Sequence, residues 1–441
     1  MNLKNILIIS SLLLNFLGFN AQVVNIPDEY FYEYLLLYNN IDKNNDGLIQ
    51  VSEAEAYTGQ INVIGYSNIK NLTGLEAFKN ITDLQVSKTG ITALDISNNT
   101  KLVKLVASST NLTSIDVSKN TELTEIQAQL NSNLKSVIFG SQNYNQLQSV
   151  NLSFNSIESI DVTHCPNLAV LNLTLNKLTS VDVSKNPRLA QLDLGSNKIT
   201  DLNLLNNKRL TFIGIAYNQI KNIDLSQNTL INIFNGTGNP IESLNVSKNI
   251  YLTQLLIDET SISDLDVTML PMLGYLYVNK TNLKNIDASQ NSNIFGLQAS
   301  GCPNLETVNM KNGNNTNVVL CVTTNNPKLT CIQVDNAEYS SNAFLWEKDE
   351  TATYVTDCAL LSSTEVETSK NITPFPNPTQ NFVNINEIAY SMALYSSNGN
   401  LVISGKDTKK IDMSKLPSGV YYLQIKMSAK EAPITKKIVK K

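Results

Sequence analysis

Six residues in one short stretch have the types and spacing to hold a metal ion. They are Asp42, Asn44, Asp46, Leu48, Gln50 and Glu53, in the run Asp42-x-Asn44-x-Asp46-Gly47-x5-Glu53. Side-chain oxygens fall at loop positions 1, 3, 5 and 12, and Gly47 stands at position 6, where the backbone must turn sharply. Leu48 would add its carbonyl, Gln50 would contact the ion directly or through water, and Ile49 would be buried. Hard oxygens at this spacing suit Ca²⁺ rather than Zn²⁺, which favours nitrogen and sulfur. The alternative is a turn between two helices that binds nothing. A second such loop is absent from the sequence, so affinity should be weak, about 10⁻⁴–10⁻³ M as in extracellular modules. The ion's task would be to stiffen a cap.

Catalytic chemistry finds little to work with. The chain has one His, so a Ser-His-Asp or Cys-His arrangement would have to use His164, which lies in a surface turn, Asp-Val-Thr-His-Cys-Pro. There is no G-x-S-x-G, H-E-x-x-H or Gly-rich phosphate loop. Asp116, Asp161, Asp182, Asp224, Asp266 and Asp287 recur at one position and could pair as glycosidase carboxylates. Turn stabilisation with the following Ser or Thr explains a regular column better. The expectation is a protein that is not an enzyme.

Composition bounds the class. The 441 residues exceed the roughly 300 at which a single core stops growing. Net charge is −5, with ten Lys against three acidic residues from Leu401 to Lys441, so the body is acidic and nucleic acid is not an expected partner. Mean hydropathy is −0.11, which excludes a multispan membrane protein. At the start, Lys4 precedes an apolar run from Ile6 to Phe19, and Ala21 offers a small residue for cleavage. This reads as a secretory signal peptide, with no membrane span after its removal. Five Cys in an oxidising compartment permit a bridge, and Cys331–Cys358 would staple the end of the array. The alternative is that all five are buried small hydrophobes.

The elements that position these residues come from an internal repeat. Leu102, Leu123, Leu147, Leu168, Leu189, Leu210, Ile231, Leu252, Leu273 and Ile294 align at steps of 21, with one step of 24. In the unit from Leu189, Leu192 and Leu194 alternate with Gln191, Asp193 and Gly195, the period of a strand with one buried face. Stacked units pair these strands in parallel. Position nine then stacks Asn155, Asn176, Asn197, Asn218 and Asn239, whose amides can satisfy turns above and below. Ile160 with Val162, Val181 with Val183, and Ile223 with Leu225 would line the opposite wall.

The pattern L-x-x-L-x-L-x-x-N-x-I/L resembles leucine-rich repeats, and its short unit is similar to those of bacterial internalin-type proteins. The D-V-S-K-N runs (Asp116–Asn120 and Asp182–Asn186) resemble secreted proteins of Bacteroidetes. The loop Asp42–Glu53 resembles an EF-hand loop. The resemblance implies a mainly β solenoid with a parallel sheet and short convex turns, about twelve coils stacked at about 4.8 Å. Outward strand positions would carry any binding surface, with Phe212, Gln254, Asp258, Tyr275, Tyr277 and Asn279 the richest set. Solvated strand faces with stray aromatics are the plainer alternative.

The ends differ from the array. Before the loop, Phe31, Leu35 and Tyr38 fall on one helical face of an α-helical cap. After the repeats, the sole Trp, Trp346, sits in a segment that would close the last open face. Beyond a Ser/Thr/Glu-rich linker come F-P-N-P, then L-Y-S-S-N-G, then L-P-S-G-V-Y-Y-L, then K-K-I-V-K. Short strands with turn punctuation suggest a small β-sandwich. In this order the motifs resemble the type A C-terminal sorting domain of the type IX secretion system. That resemblance implies Sec export, passage across the outer membrane, and release or attachment at the surface. The expected organisation is a signal peptide (1–21), N-terminal cap (22–59), solenoid (60–335), solenoid C-terminal cap (336–358), linker (359–373) and sorting domain (374–441). The expected function is binding of an extracellular protein or polysaccharide on the concave sheet. A structural adhesion protein without a specific ligand is the alternative.

Overall fold

A computed structural model describes residues 22–38, 40–359, 372–428 and 433–441. The expected signal peptide and most of the expected linker lie outside the described residues. The chain forms two compact units, Met1–Cys358 and Ala359–Lys441.

The first unit is a coil built on one fourteen-stranded parallel sheet, running from Gln60–Asn62 to Trp346–Lys348. Each strand is about three residues long and buries its middle side chain, as at Gln191–Asp193, where Leu192 is fully buried. The register pairs like with like across a rung: Leu192, Ile213, Phe234, Leu255, Leu276 and Leu297 form one buried row. No rung could bury that row alone, so stability is shared between neighbours. On the opposite wall Val162, Val183 and Leu225 are buried, and Ile160, Val181 and Ile223 pack against them. That wall is β-paired only where Ser114–Asp116 meets Ser136–Ile138 and in a four-stranded sheet from Asn285–Asp287 to Thr353–Val355. The coil has more rungs than the repeat consensus shows. Its last long-sheet strand, Trp346–Lys348, departs from that consensus yet pairs in register with Cys321–Thr323. Trp346 Nε1 donates to Val318 O at 3.0 Å, and Cys331 is bonded to Cys358.

A left-handed turn recurs after each strand of the long sheet except the last, with Gly65, Gly238 and Gly301 at three of these places. Lys88, Ser109, Leu130, Phe154, Leu175, Ser196, Tyr217, Glu259, Lys280 and Asn325 all have φ between 55° and 64°. Such residues pay about 1 kcal/mol or more for a left-handed backbone. The geometry lets each amide but that of Asn325, which donates to Asp349 Oδ1, continue the ladder to the next rung: Leu175 N donates to Gly195 O at 2.8 Å and Tyr217 N to Thr237 O at 2.7 Å. The residue after it turns inward, and there the asparagines stack.

At the start of the coil stand helices α1 (Glu29–Tyr38) and α2 (Val51–Ala56). Phe31, Tyr34 and Leu35 of α1 are buried, whereas Tyr38 is 64% exposed, which corrects the face expected from sequence. Tyr38 stacks on Tyr34 at 5.3 Å instead. Asp28 joins cap to coil, accepting from Phe31 N through Oδ1 and from Lys70 N and Asn71 N through Oδ2.

In the second unit the described residues form one four-stranded antiparallel sheet in the order Leu401–Asp412, Phe382–Ser396, Gly419–Lys426, Ile434–Lys440. A second sheet, as a sandwich would have, is not formed among them. Residues 375–379 make only the single bridges Phe375–Asn384 and Thr379–Lys440, since Pro376 and Pro378 lack the amide a ladder needs. Val383, Met392, Leu394, Leu423, Ile425 and Ile438 supply the core.

Candidate functional site

The acidic loop folds around its own amides. Asp42 Oδ2 accepts from Gly47 N at 2.8 Å, and Asp46 Oδ1 accepts from Leu48 N at 2.9 Å. Gln50 Nε2 and Asn44 Nδ2 both donate to Asp46 Oδ2, at 2.8 and 2.9 Å. Gly47 has φ +77°, the conformation its lack of a side chain permits. Ile49 is fully buried, and its carbonyl accepts from Val24 N. The Leu48 amide and the Asn44 and Gln50 side chains hold the Asp46 carboxyl below its usual range. Tyr32, which donates to Gly47 O, is pushed up by burial and by the charges of Asp42 and Asp46. Glu53 serves the backbone: Oε1 accepts from Lys43 N at 2.7 Å and Oε2 from Gln50 N at 3.0 Å. Among the described residues no three His, Cys, Asp or Glu side chains converge as a metal-ligand set. The donor types nevertheless fit a hard cation: two aspartates and an amide oxygen lie in one turn, and Glu53 is already bonded to that turn. Oε1 of Glu53 also accepts from Asn44 N at 3.4 Å, so three backbone amides of the loop share this carboxylate.

On the long sheet the structure separates the six expected surface residues. Phe212, Gln254 and Tyr275 share one register row, with Ile233 between the first two. Phe212 is three strands from Tyr275, or about 14 Å at ordinary strand spacing. Tyr275 and Tyr277 are neighbours, their rings edge to face at 6.2 Å, and Tyr275 also meets Phe295 at 5.6 Å. Gly296 makes room for them, since a methyl there would lie 3.1 Å from Cδ1 of Tyr275. Phe212 lies over Gly214 beside Asp193 in the same manner.

Asp258 and Asn279 lie at the strand ends, where Asp258 Oδ1 accepts from Asn279 N and Asn279 Oδ1 accepts from Ser300 N, both at 2.7 Å. Burial raises the Asp258 carboxyl above its usual range, against the pull of the Asn279 amide. Both residues line a groove of about 460 Å³ with Tyr217, Glu259, Lys280 and Ser300. Lys280 Nζ pairs with Glu259 at 2.6 Å. Tyr217, Lys280 and Phe295 lie outside the alternating strand positions, which hides them in the sequence. Tyr217 and Lys280 occupy the left-handed column beside the strands, a fixed repeat position that could have been tracked.

His164 is half-buried, and its carbonyl accepts from Tyr144 N. Cys165, Cys302 and Cys321 are free and buried, and burial pushes the Cys165 and Cys321 thiols up to about 12.

Fold and tail define the class: a leucine-rich repeat solenoid followed by an export domain. Residues 373–441 match the family described as Secretion system C-terminal sorting domain. The chain is therefore routed by type IX export to the cell surface or extracellular space, with that machinery as a partner. No helix among the described residues is long and apolar enough to cross a membrane. The chain is similar to the functional domain of InlJ from Listeria monocytogenes, described as including a cysteine ladder. The two are 23% identical with a TM-score of 0.54, over 95% of this chain and 98% of that one. It is also similar to an internalin, InlF, from Listeria monocytogenes, 20% identical with a TM-score of 0.57, over 76% of this chain and 98% of that one. At these identities the likeness shows the fold. No curated protein matches the chain.

Proposed function

We propose that this is a non-catalytic surface or secreted binding protein that takes an extracellular protein or glycan on its long-sheet face. Tyr275 and Tyr277 are the anchors, Gln254, Asp258 and Asn279 supply polar contacts, and Phe212 marks the far edge. The observation that carries this reading is the cluster Tyr275–Tyr277–Phe295, edge-packed over Gly296. Aromatic rings already held in place lose little freedom on binding, so their contact area converts efficiently into affinity. Partners would be captured from native culture and from a glycan array with the full chain. Tyr275→Ala/Tyr277→Ala should weaken the captured partner by about 30-fold or more, the effect of losing a hot spot. Unchanged affinity would move the site elsewhere, and the absence of any saturable partner would leave a structural adhesion role.

The loop Asp42–Glu53 is read as a Ca²⁺ site that stiffens the cap, with Asp42, Asn44, Asp46 and Glu53 giving side-chain oxygens, Leu48 its carbonyl and Gln50 an outer contact. When bound, the ion would supply cross-linking charge rather than reactivity. Calorimetry of the full chain with Ca²⁺ should show heat with Kd of about 10⁻⁴–10⁻³ M, abolished by Glu53→Gln. No heat, or the same heat in the variant, refutes the site.

A further inference from the structure

The chain contains only two arginines, Arg188 and Arg209, and the coil stacks them. They lie 21 residues apart, each three residues ahead of a long-sheet strand, on adjacent rungs. Both are exposed, and both line a groove of about 680 Å³ separate from the Asp258 groove. Among the described residues neither guanidinium has an ion-pair or hydrogen-bond partner.

The same column shows how this coil otherwise treats charge. On the two rungs just before the arginines' amide neighbours, Lys101 and Glu122 neutralise each other at 2.9 Å. Gln146 and Asn167 come next, then the two arginines. Like charges on adjacent rungs repel, and none of the ion pairs among the described residues involves either arginine. The groove's remaining walls are the amides of Asn145, Gln146, Gln148 and Asn167, with Ala169 and Ala190, closed by Leu230. Asn167 is held by its Nδ2 bond to Asn145 O at 2.7 Å. No lining residue is acidic, although the chain as a whole carries −5.

We propose that the Arg188–Arg209 groove binds an acidic polysaccharide, with the guanidinium pair on its carboxylate or sulfate groups and the amides on its hydroxyls. Guanidinium forks meet such planar or trigonal anions through paired hydrogen bonds, which a lysine cannot reproduce. Primary amides both donate and accept, as sugar hydroxyls require. The two alanines leave the floor open to a flat chain. An acidic protein would instead exploit the apolar continuation of the column, Leu230, Tyr251 and Met272, each 45–48% exposed.

The test is equilibrium binding of the full chain at low salt to polygalacturonate and to dextran sulfate, with neutral dextran and poly-glutamate as comparators. Expected are binding to at least one acidic polysaccharide, none to dextran, and a loss of at least tenfold in Arg188→Gln/Arg209→Gln. Arg188→Lys/Arg209→Lys should restore only part of it, while Tyr275→Ala/Tyr277→Ala should leave it intact, keeping this site distinct from the long-sheet face. The arginines are exposed, so both variants should keep the parent melting temperature. No binding to either acidic polysaccharide, equal binding to dextran, or an indifferent glutamine variant overturns the proposal. So does poly-glutamate binding as tight as that of the polysaccharides and lost in Tyr251→Ala, which would assign the column to an acidic protein.

Discussion

At single residues, the aspartates that first suggest paired-carboxylate chemistry are occupied by their own turns. Asp182 Oδ1 accepts from Ser184 N at 2.8 Å, and Asp161 and Asp266 accept from both the amide and the hydroxyl of Thr163 and Thr268. The Ser or Thr side-chain bonds, with the amide bonds behind them, hold Asp161, Asp182 and Asp266 below the usual carboxylate range. The folded chain thus keeps these groups ionised where the unfolded chain has begun to protonate. Their stabilisation is complete above about pH 3.9 and is lost as pH falls through the lowered folded values. Asp258 has the opposite sign, since its raised carboxyl protonates first in the folded state. Melting temperature should therefore drop between pH 4 and pH 2, and less in Asp161→Asn/Asp266→Asn, where Asn keeps the turn acceptor without the charge. The same drop in that variant and in the parent would remove the turn carboxylates as its cause. This column was legible in the sequence because residue type and spacing coincide. The charge environment of Asp258 was not, because it depends on how deeply the neighbouring rung covers it.

Among the elements, two asparagine columns hold the rungs together, and only one announced itself. In the first, Asn218 Nδ2 donates to Leu194 O and Ile215 O, and Asn218 Oδ1 accepts from Ile199 N, all at 2.9–3.0 Å. In the second, Asn207 Nδ2 donates to Val183 O and Asn186 O at 2.9 and 3.0 Å, while its buried Oδ1 has no partner. Asn99, Asn120, Asn186, Asn228, Asn249 and Asn291 repeat that one-sided arrangement. Tyr144, Cys165 and Leu270 interrupt the second column, which hid it in the sequence. The left-handed column was hidden for a related reason, since its lysines, leucines and aromatics are not turn-forming types and only the repeating geometry reveals them. Each buried group left unpaired costs about 1–3 kcal/mol. Asn218→Ala leaves the buried Ile199 amide without an acceptor, whereas Val183 O and Asn186 O keep their backbone donors in Asn207→Ala, so the first should cost about 1–3 kcal/mol more than the second. Thermal or urea unfolding ranks the pair, and an equal or inverted order would show that the first column is not the tighter seam.

For the whole molecule, the sequence carried the solenoid and the sorting domain because both are written in repeated or ordered local motifs. It understated the coil's length, since Trp346–Lys348 joins by register rather than by consensus, and Trp346 is anchored by a bond to Val318 twenty-eight residues away. It suggested a sandwich where the described residues form a single sheet. It also grouped Phe212 with the tyrosines, although two strands lie between them. Binding surfaces on a repeat coil are columns, so what matters is which residues share a column and which columns the chain leaves unpaired. The most direct measurement is amide hydrogen exchange on the full chain with and without its captured partner. Protection should appear at the strands Gln254–Leu256, Tyr275–Tyr277 and Gly296–Gln298 and in the turns at Asp258 and Asn279. Protection confined to the opposite wall, or none at all with the partner saturating, would contradict the assignment of that face.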